Sequence, residues 1–361
     1  MATIITTTTM TIASRRALLR GGLALALAPL AGRHALAQSS AAELALYSGP
    51  DRTQKLIEGA KKEGLVSLYA SAPMDDLSAL GAAFEKKYGV KVRIWRSSSE
   101  NVLQRGVVEA RAGRFDADVF ETNGVEMESL QREKVLQAVK SPLLADIAPA
   151  AILPHHEWVG TRLNVFVAAY NTKLVKKDEL PKSYQDLADP RWKGRLGIEA
   201  NDFDWFAAVV QGLGEDKGLA FFRDIAARNG FSVRKGHTLL ANLVISGEVP
   251  LALNVYQYKA EQLKNDGAPI NWLAIPPAVA RFQGVGVSRK APHPHAAVLF
   301  FDFMLSDGQE LLMRRDFSPT NTRLKSAVAG LQITMMDSAT SIDEGDKWAR
   351  LYKELASGSV R

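Results

Sequence analysis

The sequence predicts an α/β fold with two lobes. Helical and strand patterns alternate along most of the chain with short turns between them, which is typical of helices packed on a largely parallel sheet. Two apolar segments, residues 163–170 and 272–275, flank a central block that has strands and helices of its own. A domain inserted between two crossover strands explains this order. We therefore expect lobe 1 to comprise residues 38–165 and 272–361, lobe 2 to comprise residues 166–271, and a cleft between them.

Lobe 1 begins with repeated units of a helix followed by a strand. Apolar residues spaced for one face predict a helix over 75–88, which Gly89 ends, and Val90, Val92 and Ile94 alternate as a strand. The elements expected next are a helix over 101–111, a strand over 117–121, a polar loop over 122–124 and a helix over 126–139. Ligands of open α/β sheets bind at such strand ends.

Lobe 2 and the C-terminal part continue the alternation. The elements expected in lobe 2 are a strand over 196–198, helices near 205–213, 219–227 and 239–245, and a strand over 251–255. The chain then returns to lobe 1 with an apolar helix over 296–305 and a looser, polar tail after Ala329.

The N-terminus has the pattern of an export signal. Arg15 and Arg16 precede an apolar run over 21–31, which is shorter than the roughly 20 residues that a membrane-spanning helix needs. Ala35-Leu36-Ala37 then matches the small-residue pattern of a cleavage site. We expect residues 1–37 to be a twin-arginine signal peptide cleaved near Ala37, with the general secretory route as the alternative, and we expect the mature chain in the periplasm.

Composition excludes several classes of partner. The net charge of +6 includes four leader arginines with no leader acid, so the mature chain carries 6 − 4 = +2. Lysine and arginine form no stripe with interleaved aromatics, so nucleic acid is not an expected partner. The absence of cysteine excludes disulfides, thiolate metal sites and lipid attachment through an N-terminal cysteine. We expect a soluble monomer without a cofactor.

A set of short motifs runs through nearly the whole mature chain. In chain order they are Gly59-Ala60-Lys61-Lys62-Glu63-Gly64, Ala117-Asp118-Val119-Phe120, Ala169-Tyr170-Asn171-Thr172, Asp189-Pro190-Arg191-Trp192-Lys193-Gly194-Arg195, Ser246-Gly247-Glu248-Val249-Pro250, Gly267-Ala268-Pro269, Ala291-Pro292-His293-Pro294-His295-Ala296-Ala297 and Phe301-Asp302-Phe303-Met304-Leu305-Ser306. This ordered set resembles the extracellular solute-binding proteins of ABC importers, in the branch that includes ferric-iron-binding periplasmic proteins. The resemblance implies a type II-like periplasmic-binding-protein fold with two hinge strands, closure around a small-molecule ligand, and an ABC permease and its ATPase in the inner membrane as partners.

Candidate ligand contacts follow strands in both lobes, where loops and helix N-termini face the expected cleft. Ser71 and Asn123 follow strands of lobe 1, although such residues also cap helices in any α/β protein. Tyr256 and Gln257 follow the late strand of lobe 2. The resemblance, more than the spacing, implies a ligand contact for Tyr256.

An acidic turn of lobe 2 suggests a cationic group on the ligand. Three acids, Glu199, Asp202 and Asp204, lie within six positions at a strand-to-helix turn. Asn201 belongs to the same turn, and Trp205 follows it directly as a candidate aromatic contact in the cleft. A helix start explains one aspartate equally well, because aspartate is a good N-cap. The alternative is a metal-bearing ligand or one that presents hydroxyls or amines.

A basic turn of the same lobe suggests the opposite. Lys235, His237 and Thr238 begin a helix whose free N–H groups favour an anion, although a solvated basic turn is the simpler alternative. Together the two turns suggest a zwitterionic or chelated ligand.

The resemblance also implies where iron ligands would lie. In the iron-binding relatives they are a histidine after the first strand, a glutamate after the next strand of that lobe and two consecutive tyrosines. This chain offers Pro73 or its neighbours, Asn123 and Tyr256-Gln257 at those places. An amide and a proline do not replace a carboxylate and an imidazole around a hard cation. We therefore predict no metal site and an organic ligand with an amino or hydroxyl group; ferric-iron or metal-chelate binding is the alternative.

No catalytic residues are predicted. The sequence has no G-x-S-x-G elbow, H-E-x-x-H helix or G-K-[ST] phosphate loop. An exported hydrolase that uses Ser71 and His237 is the second alternative, and it requires those two side chains within hydrogen-bond reach.

Overall fold

The computed structural model describes residues 41–358. The expected signal peptide, residues 1–37, lies outside the described residues. Over 41–358 no helix is both long and apolar enough to cross a bilayer.

The described helices and strands alternate along the chain. The first elements are α1 (Arg52–Glu63), β1 (Leu65–Ala70), α2 (Met74–Tyr88), β2 (Lys91–Arg96), α3 (Ser99–Arg111), β3 (Val119–Asn123), α4 (Gly124–Arg132), β4 (Leu136–Gln137) and β5 (Val159–Asn171). The middle elements are β6 (Leu196–Glu199), α5 (Phe203–Gly212), α6 (Glu215–Arg228), β7 (Ser232–Arg234), α7 (His237–Ser246), β8 (Leu251–Tyr256), α8 (Gln257–Asn265) and β9 (Ile270–Leu273). The last are β10 (Ala278–Ser288), α9 (Pro294–Leu305), α10 (Asp307–Met313), β11 (Ser318–Pro319), β12 (Ile333–Met335), α11 (Ser338–Asp343) and α12 (Gly345–Gly358).

The strands form one continuous path in the order β2-β1-β3-β10-β5-β8-β6-β7. The long strand β5 belongs to both parts of this path, because residues 159–165 pair with β10 and residues 166–171 pair with β8 and β9. We call β1–β4, β10–β12 and residues 159–165 the first half of the sheet. The second half is β6–β9 with residues 166–171. Parallel pairs at β1–β2, β1–β3, β6–β7 and β6–β8 place the carboxyl ends of these strands towards the middle of the molecule.

The helix predicted over 75–88 is confirmed as α2. Gly89 adopts a left-handed conformation with φ of 72°, and its N–H donates to the Glu85 carbonyl, which ends the helix as expected. Phe84 is buried and packs against Phe300 and Phe303 of α9, with ring centroids 5.0 and 5.4 Å apart. This aromatic cluster packs the C-terminal part of α2 against α9.

The helix expected over 126–139 is shorter than expected. The structure ends α4 at Arg132, and Lys134 takes a left-handed φ of 58°. Residues Leu136 and Gln137 then pair with β10 as β4. Val135 and Leu136 are buried. Their apolar side chains pack beside and within β4, and not on a helix face as their spacing suggested.

The crossover strand expected over 272–275 is also corrected. Residues 270–273 form β9, which pairs only within the second half, and the chain returns to the first half through β10. No strand was predicted over 278–288. The segment mixes Arg281, Gln283 and glycines with its apolar residues, which hides the apolar run typical of a buried strand.

The C-terminal tail contacts both halves of the sheet. β12 pairs with β10, and α11 packs on α4, where Arg132 Nη1 lies 2.6 Å from Asp343 Oδ1. α12 instead packs on α5 and α6 of the second half, with Trp348 and Tyr352 buried against Phe206. The whole tail was predicted to belong to lobe 1.

Candidate ligand-binding site

A cavity of about 570 Å³ lies between the two halves of the sheet. The loops after β1, β2 and β3 line it from one side, and the loops after β6, β7 and β8 line it from the other. Side chains of β5 and β10 complete the lining. The volume suits a small molecule, and the lining is rich in polar groups that can orient one.

The structure brings nine of the eleven predicted site residues to this cavity. They are Ser71, Asn123, Glu199, Asn201, Asp202, Lys235, His237, Thr238 and Tyr256. Trp205 and Gln257 lie outside the lining. Trp205 is 1% exposed, and its ring packs edge-on against Phe222 at 6.0 Å in the core of the second half. Gln257 is the first residue of α8 and is buried.

The acidic turn after β6 is largely satisfied by the protein itself. Glu199 Oε1 accepts a hydrogen bond from the backbone N of Gly236 at 2.8 Å, and Oε2 accepts one from the backbone N of Asn201. Asp202 Oδ2 accepts from Asn254 Nδ2 at 2.9 Å. The bond to Gly236 ties the loop after β6 to the loop after β7, and the bond from Asn254 ties it to β8, so Glu199 and Asp202 hold the wall of the cavity in place.

Arg281 of β10 lies between the carboxylates of Asp202 and Asp204. Its Nη1 lies 2.5 Å from Asp204 Oδ2, its Nη2 lies 3.3 Å from Asp202 Oδ1, and Nη2 also donates to the Tyr256 hydroxyl. The guanidinium lies 5.1 Å from the ring centroid of Phe166. Sequence reasoning missed Arg281; the only signal was an arginine inside an otherwise apolar and small-residue segment.

Tyr256 is held tightly at the cavity wall. Its ring stacks on the His237 ring with centroids 3.8 Å apart, and it is 6% exposed. Burial raises the pKa of the Tyr256 hydroxyl well above its usual value, and the nearby Arg281 only partly offsets this. The phenol is therefore neutral at physiological pH.

The first half contributes a chain of polar side chains. Asn164 Nδ2 donates to Asn123 Oδ1 at 3.2 Å and to Gln283 Oε1 at 3.0 Å. Gln283 Nε2 donates to Ser71 Oγ at 3.1 Å, and Thr122 Oγ1 donates to the same oxygen at 3.0 Å. Ser71 thus accepts two bonds, and its own hydrogen is left to donate. Asn164 and Gln283 were missed because a polar residue inside a strand gives no sequence signal of its own.

The basic turn after β7 is the more open part of the lining. Lys235 and Thr238 are exposed, and among residues 41–358 Lys235 forms no ion pair. His237 Nδ1 lies 3.1 Å from the Asn254 carbonyl oxygen, and Nε2 lies 3.4 Å from Asp202 Oδ1. Since Ser71 bonds to Thr122 and Gln283 instead, the Ser71–His237 hydrogen bond that a hydrolase requires is absent from the described residues.

Glu126, in the first turn of α4, also lines the cavity and was missed by the sequence analysis. The residue is partly exposed, but its Oε2 atom is inaccessible to solvent and has no hydrogen-bond partner. Burial raises the pKa of Glu126 to about 7, because the attraction of Arg281 compensates only part of the lost hydration. In the part of the chain described here, no group of three or more His, Cys, Asp or Glu side chains could hold a metal ion.

This chain is similar in sequence to bacterial solute-binding proteins. The family model of the bacterial extracellular solute-binding proteins matches residues 70–311. Iron uptake protein A1 of Synechocystis sp. is 26% identical over 270 residues, which cover 70% of this chain and 74% of that protein. The Fe(3+)-binding periplasmic protein of Serratia marcescens is 28% identical over 242 residues, covering 63% and 70%.

Solved structures share the fold. Iron-bound HitA from Pseudomonas aeruginosa matches with a TM-score of 0.70 and 22% identity, covering 81% of this chain and 99% of that one. AfuA from Actinobacillus pleuropneumoniae, with exogenous fructose-6-phosphate bound, matches with a TM-score of 0.71 and 22% identity, covering 82% and 99%. These likenesses confirm the predicted fold.

Proposed function

Because the chain belongs to the bacterial extracellular solute-binding protein family, we propose that it captures a small polar organic solute in the cavity between the two halves of the sheet. Proteins of this family bind and transport rather than catalyse, and its relatives here are periplasmic binding components of ABC importers. In this role the chain works as a monomer without catalysing a reaction. It delivers its loaded form to an ABC permease and its ATPase in the inner membrane.

The position of Arg281 is the observation that favours an organic solute over a bare ferric ion. A ferric site needs several anionic oxygen donors. Arg281 already pairs with the carboxylates of Asp202 and Asp204 and with the Tyr256 hydroxyl, so these oxygens are occupied by a guanidinium. The raised pKa of Tyr256 also opposes formation of the phenolate that a ferric ion prefers.

The electrostatic cost of iron beside Arg281 is large. An ion bound to the Tyr256 oxygen would lie next to the guanidinium that donates to the same oxygen. Two like unit charges 4 Å apart repel by about 4 kcal/mol at an effective dielectric constant of about 20. A trivalent ion at the same distance from the single charge of Arg281 would be repelled by about 12 kcal/mol. Displacing Arg281 instead would leave a buried cation without partners.

Ferric iron is the second candidate, because both curated relatives named above are named for iron. At the positions that the resemblance assigns to iron ligands this chain has Asn123 and a single tyrosine, Tyr256. Asn123 is already bonded to Asn164 and Ser99. An iron chelate, which brings its own donors, fits this lining better than a bare ion.

Native mass spectrometry of protein purified from its own periplasm, followed by calorimetry, tests the proposal. The calorimetric panel contains ferric citrate, ferric nitrilotriacetate, amines, zwitterions and sugars, and X-ray scattering measures ligand-induced compaction. We expect an organic compound to bind and compact the protein. Tight ferric binding with a tyrosinate charge-transfer band, lost in Tyr256→Phe and kept in the control Tyr88→Phe, would contradict it.

The route of export is part of the proposal. The paired arginines and the cleavage pattern support twin-arginine export with cleavage near Ala37, after which the mature chain works in the periplasm. The periplasmic relatives support the same compartment.

A further inference from the structure

Two buried acceptor atoms of the cavity lining have no donor. Asn164 is 3% exposed and lines the cavity, and its Oδ1 atom has no hydrogen-bond partner. Glu126 Oε2 is inaccessible and equally without a partner. Buried polar atoms are almost always hydrogen-bonded, so two such atoms on one cavity call for an explanation.

Asn123 connects the two residues that carry these acceptors. Asn164 Nδ2 bonds to Asn123, which is the N-cap of α4, and Glu126 is the third residue of that helix. Residues three apart at a helix start lie on the same side of it. The same Asn164 also lies directly across the β5–β10 pair from Arg281.

Cations of the protein do not satisfy these acceptors. Glu126 has no lysine or arginine within ion-pair distance among residues 41–358, and Arg281 is already paired with Asp202 and Asp204. Arg162, the other buried arginine of the lining, pairs with Glu121 at 2.7 Å. Glu126 therefore has no counter-ion among residues 41–358; Glu100, which is exposed on the same side of the cavity, has none either but accepts a hydrogen bond from Asn201 Nδ2 at 3.2 Å.

The number of missing donors discriminates between ligand groups. A hydroxyl has one hydrogen and can satisfy one of the two acceptors, whereas an ammonium has three hydrogens and can satisfy both. A charged donor also supplies the counter-ion that Glu126 lacks. Resting on the solute-capture function proposed above, we propose that Glu126 and Asn164 bind an ammonium group, and that the physiological solute is an amine.

Matched pairs of probes that differ only in amine against hydroxyl test this assignment. Suitable pairs are putrescine and 1,4-butanediol, γ-aminobutyrate and γ-hydroxybutyrate, and glucosamine and glucose, measured by calorimetry on the mature protein. We expect at least one amine to bind more tightly than its hydroxyl partner. Glu126→Gln should raise the dissociation constant of that amine by about tenfold to a hundredfold, which is the usual contribution of a hydrogen bond to a charged group.

The controls separate a local role from general damage. Glu133→Gln makes the same chemical change just after α4, outside the cavity, and should leave amine affinity unchanged. Thermal melting of both variants checks that each is folded. If no amine exceeds its hydroxyl partner, or if Glu126→Gln weakens both members of a pair equally, the assignment is overturned. Binding of hydroxyl compounds or ferric chelates with compaction would then leave solute capture standing, whereas no binding by any probe would remove both.

Discussion

Replacing Arg281 with methionine tests the ion-pair network of the cavity. The substitution keeps an unbranched apolar side chain of similar length but leaves the carboxylates of Asp202 and Asp204 without their buried cation. Removing one partner of a buried ion pair costs about 3–5 kcal/mol. An unfolding entropy of about 2.1 cal/mol/K per residue gives about 0.7 kcal/mol/K for a mature chain of about 320 residues, so Arg281→Met should melt about 4–7 °C below the parent protein.

The stability lost in Arg281→Met should be larger at high pH than at low pH. Burial raises the pKa of Asp204, although Arg281 opposes this, so without Arg281 the carboxyl takes up a proton more readily. A neutral carboxyl no longer needs the cation. The deficit of Arg281→Met relative to the parent should therefore be largest at about pH 8 and smaller at about pH 5.

Urea unfolding at both pH values, together with the double variant Arg281→Met/Asp204→Asn, measures this coupling. Removing one of the stranded charges should restore part of the lost stability. If Arg281→Met unfolds at the parental urea concentration, or if the deficit is the same at both pH values, the argument that Arg281 holds the acidic turn together fails.

Two further predictions concern pH. The affinity for an amine should fall as the pH falls through about 7, the raised pKa of Glu126, because only the carboxylate attracts an ammonium; calorimetry at about pH 6 and about pH 8 should show this in the parent and a flat response in Glu126→Gln. At the start of α9, the hydrogen bond to Asp118 raises the pKa of His293, so its stabilisation is complete below about pH 6.5 and is lost as the pH rises through the folded-state pKa. The melting temperature of the parent should exceed that of His293→Gln by more at about pH 5.5 than at about pH 8.5, and an equal gap at both pH values would contradict this role.

Sequence patterns predicted those elements whose formation is local. The face and glycine stop of α2 depend on residues within one helix, and they were correct. β10 could not be predicted, since its buried polar residues find their partners only in distant parts of the chain. Gln283 bonds to Asn164 of β5, and Arg281 pairs with the acidic turn after β6. The position of α12 likewise depends on a long-range contact, that of Tyr352 with Phe206.

The candidate site shows the same division between local and distant information. Loops after strands were correctly placed around the cavity, because parallel strands bring their carboxyl ends together. Trp205 was misplaced because the acidic turn fixes which face of α5 meets the cavity. Phe203 lines it, and a residue two positions later is turned by about 200° to the opposite face. Asn164 and Glu126 gave no signal, since an acceptor is recognised as unpaired only when its surroundings are known.

The C-terminal tail has a mechanical consequence. The chain passes between the two halves within β5 and again between β9 and β10, and two such crossings alone would define an axis about which the halves can turn. The tail adds a third crossing where α11, docked on α4, gives way to α12, docked on α5 and α6; Gln211 Nε2 holds Glu344 there at 3.2 Å. Tyr352 of α12 donates to the backbone oxygen of Glu199, at the acidic turn itself. Any rotation of one half against the other must therefore stretch or bend residues 343–345, so the tail acts as a tether that limits the angle of opening and restrains the ligand-side turn from behind.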